Sequence, residues 1–473
     1  MVKVLVYGHF KAVHLGHFRL FEYAQSLGDS LFVAINTEGK NESDISFSES
    51  VIKSFPFTLE VIKYSNLDEL LRNLRPDIVV RGQEFRNSSD QDNNLIKSQG
   101  IKLLFGSGST YLSEEALSFD SSPDFSLRES FKNYAALKGL NSVSLKDTLR
   151  QFSSKKVMVI GDLIIDEFIN CQPIGMSQED PVVVSTPISS SRYLGGAGIV
   201  AAHCKALGAK VDFVSLSGDD EPADWALKYL AEQGVETTFI RDANRPTVVK
   251  QRFKHANQTL FRLNHFRPEE AEIQILDEII GHASRIVANC DLLIFSDFSF
   301  GTLHPHVVSK LMEDTRRREM FIAADSQSSS QLGSLSRFKE INLLTPTEHE
   351  ARLELRNEFD GIAVLTQKLV NSLRVNSLIL KLGADGVLLG GYKDEKEVVP
   401  TDRIPSANSL AVDVSGAGDS LLAVSSLSMA CGRNIYESAY LGSVAAGVQV
   451  SRKGNIPIQL MEVEKVIDRI FQD

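Results

Sequence analysis

The sequence predicts an α/β protein with two consecutive domains, each built on a mostly parallel sheet with helices packed against it. Its 473 residues exceed what one core of ordinary size holds, since a domain takes roughly 150 residues. The chain opens on a strand, a glycine loop, a helix and a second strand. Near residue 157, after a serine-rich stretch, a strand opens a second α/β pattern. These three observations together predict two α/β units.

The first unit begins with the β-rich run 2–7, which ends at Gly8. Residues 18–27 carry apolar side chains on one helical face, and 31–35 is a strand of the buried type. A βαβ opening of this length implies parallel strands joined by a right-handed crossover. Later strands of the same sheet are predicted at 77–80 and 101–105.

The second unit follows a stretch rich in serine and acidic residues, which is typical of a linker that carries some helix. We therefore expect a first domain over 1–120, a linker over 121–140 and a second domain over 141–473. Alternating residues in two stretches, 181–193 and 246–263, indicate a small β-lid on a doubly wound sheet. The buried strands of that sheet are predicted at 157–160, 211–216, 292–295, 320–324, 341–344 and 378–380.

Composition narrows the class of protein. With 43% hydrophobic and 23% charged residues the chain is globular, and its net charge of −11 disfavours nucleic acid or an anionic membrane as partner. Cys171, Cys204, Cys290 and Cys431 form no metal-ligand spacing, which fits a reducing compartment. Because no apolar run reaches the ~18–20 residues of a membrane span and the N-terminus lacks a signal pattern, we expect a cytoplasmic protein.

The first chemical motif is the segment GHFKAVHLGH at residues 8–17, between the first strand and the first helix. His14 and His17 are spaced i, i+3 around a glycine at the start of a helix, where both imidazoles can face an anion beside free N–H groups. A bound polyphosphate would there meet hydrogen-bond donors that offset developing charge. Two histidines at this spacing also occur as plain helix-start residues.

This segment resembles the GxFDxxHxGH signature of the cytidylyltransferase-like nucleotidyltransferases, including the transferase half of the bifunctional heptose kinase/nucleotidyltransferases of lipopolysaccharide synthesis. The likeness continues through FEYAQSLGDSLFVAINTE and RPDIVVRGQEF. It implies a Rossmann-like fold in which a sugar or alcohol phosphate attacks the α-phosphorus of a nucleotide and pyrophosphate leaves. By this resemblance His14 and His17 are catalytic, and the nucleotide is bound by Gly8, Phe10, Lys40, Arg81, Ser109 and Thr110.

Two features depart from that signature. Lys11 stands where the signature has aspartate, and the stretch between Asn36 and Pro76 lacks the Arg-Pro-Val segment of the family, so that Lys40 or Arg81 is the candidate substitute for its phosphate-binding arginine.

The second chemical motif is DVSGAGD at residues 413–419, just before an apolar helix. A Gly-Ala-Gly turn lets the backbone approach a phosphate closely, and its N–H groups open towards a transferring phosphoryl group. Asp419 directly after that turn is placed to accept a hydroxyl proton. Such turns also serve as plain helix entries.

The motif resembles the DTxGAGD signature of the ribokinase/PfkB carbohydrate kinases, and further segments extend the likeness over about residues 155–460. The resemblance makes Asp419 the catalytic base and Glu350 an indirect organiser of Mg²⁺. It places ATP and its phosphates at Thr347, Glu350, Lys381, Gly383, Gly386, Gly416, Ala417 and Gly418. It places the sugar at Asp166, Gly195, Gly196, Arg262 and Asp297.

Among these kinases the sequence is most similar to the heptose-7-phosphate kinases, through GDLIIDEFI, SQEDPVVV, TVVKQRF and FRLN. Several positions differ from the pattern of that group, which allows a different sugar: Ile199 and Thr347 replace asparagines, Asn264 replaces an aspartate, and Phe300 and Gln327 replace lysines. The order of the two domains is also reversed with respect to the bifunctional family.

The sequence therefore predicts a bifunctional enzyme of activated-sugar synthesis that uses Mg²⁺ and ATP, with CTP possible at the first site. The kinase would phosphorylate a sugar or sugar phosphate, with heptose 7-phosphate at O1 as first choice. The transferase would then make an ADP-sugar or, as second choice, a CDP-sugar. By the same resemblance we expect a homodimer through the lid. Two alternatives stay open: a kinase whose first domain is a non-catalytic regulatory or assembly module, and a pentose or hexose as acceptor.

Overall fold

The computed structural model divides the chain into two compact units, Met1–Pro123 and Asp124–Asp473. None of the helices in the described residues is long and apolar enough to cross a lipid bilayer. The structure describes residues 2–10, 15–25, 27–37, 42–53, 59–82, 91–106, 123–180, 182–255, 258–316, 318, 320–327, 334–391, 402–408 and 411–472.

The first unit is a five-stranded parallel sheet with the order β3-β2-β1-β4-β5. Its strands are β1 (Lys3–Gly8), β2 (Ser30–Asn36), β3 (Leu59–Tyr64), β4 (Ile78–Gly82) and β5 (Lys102–Gly106), and its helices are α1 (Leu15–Gln25), α2 (Glu42–Lys53), α3 (Leu67–Leu74) and α4 (Gln91–Ser98). Both faces of the sheet are covered, because Val4 and Val6 pack in one apolar cluster and Leu5 in another. The strand order reverses at β1 and β4, where sheets of this kind bind ligands at the carboxyl ends of their strands.

The second unit is built from longer and more numerous elements. Its strands are β6 (Lys156–Gly161), β7 (Leu163–Met176), β8 (Val183–Gly195), β9 (Lys210–Gly218), β10 (Glu236–Asp242), β11 (Val248–His255), β12 (Gln258–His265), β13 (Leu292–Asp297), β14 (Phe321–Ser326), β15 (Leu343–Leu344), β16 (Ser377–Lys381), β17 (Val387–Gly390) and β18 (Asp402–Ile404). Its helices are α5 (Pro123–Leu137), α6 (Ser142–Gln151), α7 (Gly196–Ala206), α8 (Glu221–Glu232), α9 (Ile273–Val287), α10 (Pro305–Arg316), α11 (Glu348–Leu355), α12 (Ile362–Leu373), α13 (Ala417–Ala430), α14 (Ile435–Val450) and α15 (Leu460–Phe471).

The main sheet of this unit has nine strands in the order β10-β9-β6-β13-β14-β15-β16-β17-β18. The strands from β10 to β16 are parallel, and β17 and β18 continue the sheet antiparallel. Side chains alternate across β6, so that Val157 and Val159 belong to one core and Met158 and Ile160 to the other. Both faces are therefore buried, and the predicted α/β fold class is confirmed.

The predicted β-lid is a separate four-stranded sheet with the order β12-β11-β7-β8. In it β11 pairs parallel with β7, and the outer strands pair antiparallel. The register sets Lys250 of β11 opposite Asp166 of β7, at the end of the lid where these strands begin. The lid therefore carries charged side chains down to the carboxyl edge of the main sheet, where β6 ends at Gly161.

The segment expected as a linker over 121–140 is mostly the helix α5, and its second half packs into the core of the second unit. Phe131, Tyr134 and Ala135 are buried there. The Phe131 ring lies 5.0 Å from that of Tyr440 on α14, centroid to centroid, and Lys138 forms an ion pair with Asp402. The apolar residues at spacing i, i+3, i+4 form a helical face that needs a partner, and this explains why the segment does not behave as a free linker.

Replacing Phe131 by alanine is expected to destabilise the second unit by about 3 to 5 kcal/mol, because the ring is fully buried and its loss leaves a cavity. Trp225 on α8 is the only tryptophan of the chain, so its fluorescence during urea unfolding reports on this unit alone.

The matched control is Phe359→Ala. That ring is 94% exposed, and its removal should change the unfolding free energy by no more than about 0.5 kcal/mol. Equal unfolding midpoints for the two variants would show that α5 is not part of this core.

Candidate active site

A cavity of about 770 Å³ opens in the second unit where β14 and β16 end and α13 begins. Most of the residues predicted for a kinase site line it. These are Asp166, Gly196, Arg262, Thr347, Glu350, Lys381, Gly383, Gly386, Gly416, Ala417, Gly418 and Asp419. Gly195 and Asp297 are not among the lining residues.

The start of α13 forms one wall of the cavity. Gly416 precedes the helix with φ of 77°, and a Cβ at this position would lie 1.6 Å from Oδ1 of Asn455, so that no side chain fits. The first N–H groups of a helix point out of its start, where they favour an anion. Asp419 is the third residue of the helix and therefore stands beside the Gly-Ala-Gly turn.

Asp419 is buried, and its surroundings disfavour the ionised form of its carboxyl group. Burial and the carboxylate of Asp325 raise the pKa of Asp419 to about 7, while the ammonium of Lys381 acts in the opposite direction. Nε2 of Gln327 lies 3.5 Å from Oδ1 of Asp419. A carboxylate with such a pKa can accept a proton from a hydroxyl near neutral pH and release it again.

Lys381 and Asp325 form a buried ion pair beneath the turn. Nζ of Lys381 donates to both carboxylate oxygens of Asp325, at 2.7 and 2.8 Å. Burial favours the neutral amine, but the carboxylates of Asp325, Glu350 and Asp419 outweigh it and raise the pKa of Lys381. A Cβ on Gly418 would lie 3.2 Å from this Nζ, so the ammonium is directly beside the Gly-Ala-Gly turn.

Thr347 and Glu350 start α11 with a capping box. The side chain of Glu350 accepts from the backbone N–H of Thr347 at 2.7 Å, and Oγ1 of Thr347 accepts from the N–H of Glu350 at 3.3 Å. Glu350 is thereby fixed at the cavity wall, within electrostatic reach of Asp325. Two carboxylates near a phosphate turn suit Mg²⁺, which keeps most of its waters and binds through one or two carboxylates plus phosphates. Among the described residues no cluster of three or more acidic, histidine or cysteine side chains could hold a metal by itself.

The opposite end of the cavity lies under the lid and is rich in charge. Asp166 is buried, which raises its pKa, and the guanidinium of Arg252 on β11 opposes this from 3.3 Å. Arg252 also donates to Oγ of Ser415, at 3.0 Å, next to the Gly416 turn. Lys250 stands over the rings of Phe298 and Phe300, at 5.3 and 5.1 Å from their centroids. Together with Arg262, Lys250 and Arg252 give this end three cationic side chains.

The two glycines predicted for the sugar site are required by close packing. A Cβ on Gly195 would lie 2.6 Å from Oδ2 of Asp166, and Gly196 has φ of 56° with the carbonyl oxygen of Asp162 2.3 Å from its Cβ position. The diglycine turn therefore lets α7 start directly against the Asp166 carboxylate.

Asp297 lies at the end of β13 but outside the cavity wall. Its carboxylate accepts from Oγ of Ser326 at 2.6 Å and forms an ion pair with Arg337, both away from the lining residues. The neighbouring loop is instead organised by Asp162, whose carboxylate accepts from the backbone N–H groups of Phe298, Phe300 and Thr302 at 2.8 to 3.1 Å. In this structure Asp297 therefore supports the loop that carries Phe298 and does not face the acceptor end.

The nucleotide end of the cavity is a slot lined by small residues. Gly386 has φ of 86°, and a Cβ there would lie 2.1 Å from the carbonyl oxygen of Ile404. Gly447 of α14 packs directly against Ala407, since a Cβ on Gly447 would lie 2.7 Å from that of Ala407. Small residues line this end of the cavity. They are Gly383, Ala384, Ser406, Ala407, Ser443, Ala446 and Gly447.

Sequence reasoning missed Asp325, Lys250 and Arg252 as site residues. Asp325 is the penultimate residue of β14 and its side chain is buried, and the only signal for it was its position at the carboxyl end of a predicted parallel strand. Lys250 and Arg252 lie two apart on a strand, and this alternation places both on one face of the lid.

In the first unit, His14, Lys40, Ser109 and Thr110 lie outside the described residues. His17 lies on α1, with its ring 5.1 Å from that of Phe10, edge to face, and 6.3 Å from that of Phe21. Phe10 has φ of 46° and a buried ring packed against Phe21. The ring of Phe10 would contact a Cβ on Gly8 at 3.3 Å. The Phe10 side chain is thus part of the core, and only the backbone of Phe10 could contact a nucleotide.

Arg81, the candidate substitute for a phosphate-binding arginine, is buried at the end of β4. Its guanidinium donates to Oδ1 of Asn93 at 2.7 Å, pairs with Asp92 at 3.6 Å and stacks on the ring of Tyr7 at 5.2 Å. The hydroxyl of Tyr7 in turn donates to Asp92 at 3.0 Å. These contacts fix Arg81 against α4.

Two relatives illustrate the similarity of the sequence to known proteins. The Bifunctional protein HldE of Campylobacter fetus is 29% identical over 316 residues, which cover 66% of this chain and 66% of that protein. The protein of the same name from Nitratiruptor sp. is 29% identical over 314 residues, with 66% and 64% covered. The matched part of the chain thus spans slightly less than two thirds of the length of these relatives.

Solved structures show the fold of the second unit. Ribokinase from Thermotoga maritima superposes with a TM-score of 0.52 at 21% identity, over 66% of this chain and 99% of that one. Phosphofructokinase-2 from Escherichia coli gives a TM-score of 0.54 at 14% identity, over 67% and 99%.

A model of the pfkB family of carbohydrate kinases matches residues 154–460, which is well over half of the chain. The matched range contains the whole cavity, the lid and the turn before α13. The chain therefore belongs to the pfkB family of carbohydrate kinases.

Proposed function

We propose that the second unit transfers the γ-phosphoryl group of ATP to a hydroxyl of a sugar phosphate. The observation that carries this is the position of Asp419, a buried carboxylate with a pKa near 7, directly beside the anion-binding turn at the start of α13. Asp419 accepts the proton of the acceptor hydroxyl while its oxygen attacks the γ-phosphorus. The bond from that phosphorus to the β,γ-bridging oxygen breaks, and ADP leaves.

The groups around this base support the same reaction. The N–H groups of the turn face the phosphoryl group, and the small-residue slot takes the adenine. Mg²⁺ on the nucleotide phosphates supplies positive charge when bound, and Glu350 would hold its water ligands. Because Gly383 and Gly386 have no side chains, the backbone of the nucleotide loop can approach the nucleotide closely.

The acceptor end favours a sugar that already carries an anion. Lys250, Arg252 and Arg262 are three cations around the single sugar-site carboxylate of Asp166. A phosphate remote from the reacting hydroxyl would be attracted by these three cationic side chains. We therefore keep heptose 7-phosphate, phosphorylated at O1, as first choice. The resemblance to heptose-7-phosphate kinases agrees with this choice.

The first unit is proposed to couple the resulting sugar 1-phosphate to a nucleotide, with release of pyrophosphate. Its parallel sheet, whose order reverses beside β1, and the His14–His17 motif support nucleotidyl transfer, for which we keep an ADP-sugar as first choice of product and a CDP-sugar as second. The order of the two steps follows from chemistry, because the anomeric phosphate made by the kinase is the nucleophile that the transferase needs. With ATP as common substrate and free cysteines throughout, we place both reactions in the cytoplasm.

One observation favours the alternative of a kinase with a non-catalytic first unit. The guanidinium of Arg81 is committed to Asn93, Asp92 and the Tyr7 ring, which leaves it poorly placed to hold a triphosphate. If no other cation takes that role, the first unit serves regulation or assembly.

Replacing Asp419 by asparagine is expected to lower the kinase kcat by about 10² to 10⁴-fold, because the amide cannot take the proton. In the parent protein, kcat/KM should fall about tenfold per pH unit below about pH 7, since the raised pKa leaves Asp419 protonated there. ADP formation with a panel of sugar phosphates measures both.

Asp147→Asn, on α6 and remote from the cavity, is the matched control and should behave as the parent protein. Unchanged phosphorylation in Asp419→Asn would refute the proposed base. An acid limb near pH 4 would refute the raised pKa.

Replacing His14 by alanine is expected to abolish pyrophosphate release from ATP or CTP in the presence of a sugar 1-phosphate, because the imidazole no longer offsets the developing charge. The kinase activity of this variant should persist, and Asp419→Asn should keep pyrophosphate release. Absence of pyrophosphate from the parent protein with every nucleotide would instead support the single-activity alternative.

We propose a homodimer that forms through the lid. Ile174, Met176, Val183 and Ile188 on β7 and β8 are each more than half exposed, and Phe261 on β12 is 53% exposed. An exposed apolar surface on an open sheet is stabilised when another apolar surface packs against it. The lid of a second copy of the chain provides such a surface. Sedimentation equilibrium should give about twice 52.2 kDa.

Replacing Ile188 by aspartate should shift that mass towards one chain, whereas Phe359→Ser, outside the lid, should not. A monomeric parent protein at micromolar concentration would contradict the proposed dimer.

A further inference from the structure

Lys381 differs from the other cations of the cavity in its position. Lys250, Arg252 and Arg262 stand on the lid strands, at the acceptor end. Among the described lining residues, Lys381 is the one lysine or arginine on the main sheet, and it lies beside Gly418 of the anion turn. An ammonium at this place adjoins the position of a phosphoryl group held by the turn.

The surroundings of Lys381 are strongly acidic. Asp325, Glu350 and Asp419 are all buried near its ammonium, and no other described cation of the main sheet lines this corner. A triphosphate that enters adds further negative charge against these carboxylates. Without a cation here, these carboxylates would repel the phosphoryl group as it approaches Asp419.

The position directly after β14 offers no such charge. Gln327 follows Asp325 by two residues and reaches the same carboxylate of Asp419, but its amide is neutral. Positive charge at this corner therefore comes from Lys381 at the end of β16, and Asp325 holds the lysine in position through both of its oxygens.

We propose that Lys381 is a catalytic residue of the kinase whose ammonium, held by Asp325, contacts the transferring γ-phosphoryl group and offsets its developing charge. This inference rests on the proposed function of the Asp419 site. Lys381 keeps its proton throughout. The proton of the acceptor goes to Asp419, and the electron pair of the broken P–O bond leaves with ADP. Asp325 acts as a positioning residue for the lysine.

The test compares Lys381→Met with Lys381→Met/Gln327→Lys, which returns an ammonium to the same corner from the residue that follows β14. We expect Lys381→Met to lower kcat by about 10² to 10³-fold. Its Kd for ADP should stay within about threefold of the parent value, because ADP lacks the γ-phosphoryl group. The double variant should recover at least tenfold in kcat.

Two controls make the result specific. Lys368→Met removes an equally short but exposed lysine–aspartate pair, with Asp360 at 2.6 Å, and should leave kcat unchanged. Lys381→Met/Asp325→Asn removes the uncompensated buried carboxylate. It should unfold at the parent urea concentration, by Trp225 fluorescence, and still show the loss of kcat.

Three outcomes would overturn the inference: a kcat of Lys381→Met within threefold of the parent value, a loss of ADP affinity equal to the loss of kcat/KM, or no recovery in the relocated-lysine variant. These outcomes are distinct from failure of the proposed function, which would appear as full activity in Asp419→Asn or as no sugar phosphorylation by the parent protein.

Discussion

A buried carboxylate beside an anion-binding turn is unstable unless positive charge compensates it, and the second unit is arranged around that constraint. In the proposed reaction Asp419 lies next to the turn to meet the acceptor hydroxyl, and the turn receives phosphate. The helix start of α13 supplies partial positive charge from its N–H groups, and Lys381 supplies a full charge from the adjacent strand. The pKa of about 7 at Asp419 is the balance of these effects with burial and with Asp325.

The same constraint explains why the lid and the main sheet contribute cationic side chains at different ends of the cavity. The lid contributes its cations at the acceptor end, where Arg252 joins Asp166 on β7 to Ser415 beside the turn. A single guanidinium thus touches both the sugar-site carboxylate and the loop that leads to the phosphate turn. The lid strands form a sheet of their own, separate from the nine-stranded main sheet, and Arg252 is one link between that sheet and the turn.

Local motifs were predictable from the sequence because their chemistry is contained in a few consecutive residues. The Gly416–Asp419 turn, the Thr347–Glu350 capping box and the diglycine before α7 each need particular residue types at fixed spacing. Asp325 could not be found in this way, since its role depends on the parallel register that brings β14 beside β16. Asp297 ends a strand, as site carboxylates often do, and its carboxylate is paired here with Arg337 and Ser326, which the sequence does not reveal.

The helix α5 shows the limit of composition as a guide to domain organisation. Its acidic and serine-rich sequence is typical of a linker, but Phe131, Tyr134 and Ala135 need only one turn of helix to form an apolar face against Tyr440. From that face α14 runs on to Ser443, Ala446 and Gly447, which line the nucleotide slot. A segment outside the residues matched by the kinase family model therefore packs behind the wall of the nucleotide slot. In this chain α5 belongs physically to the kinase unit, because the helix that it stabilises is the one against which the adenine would lie.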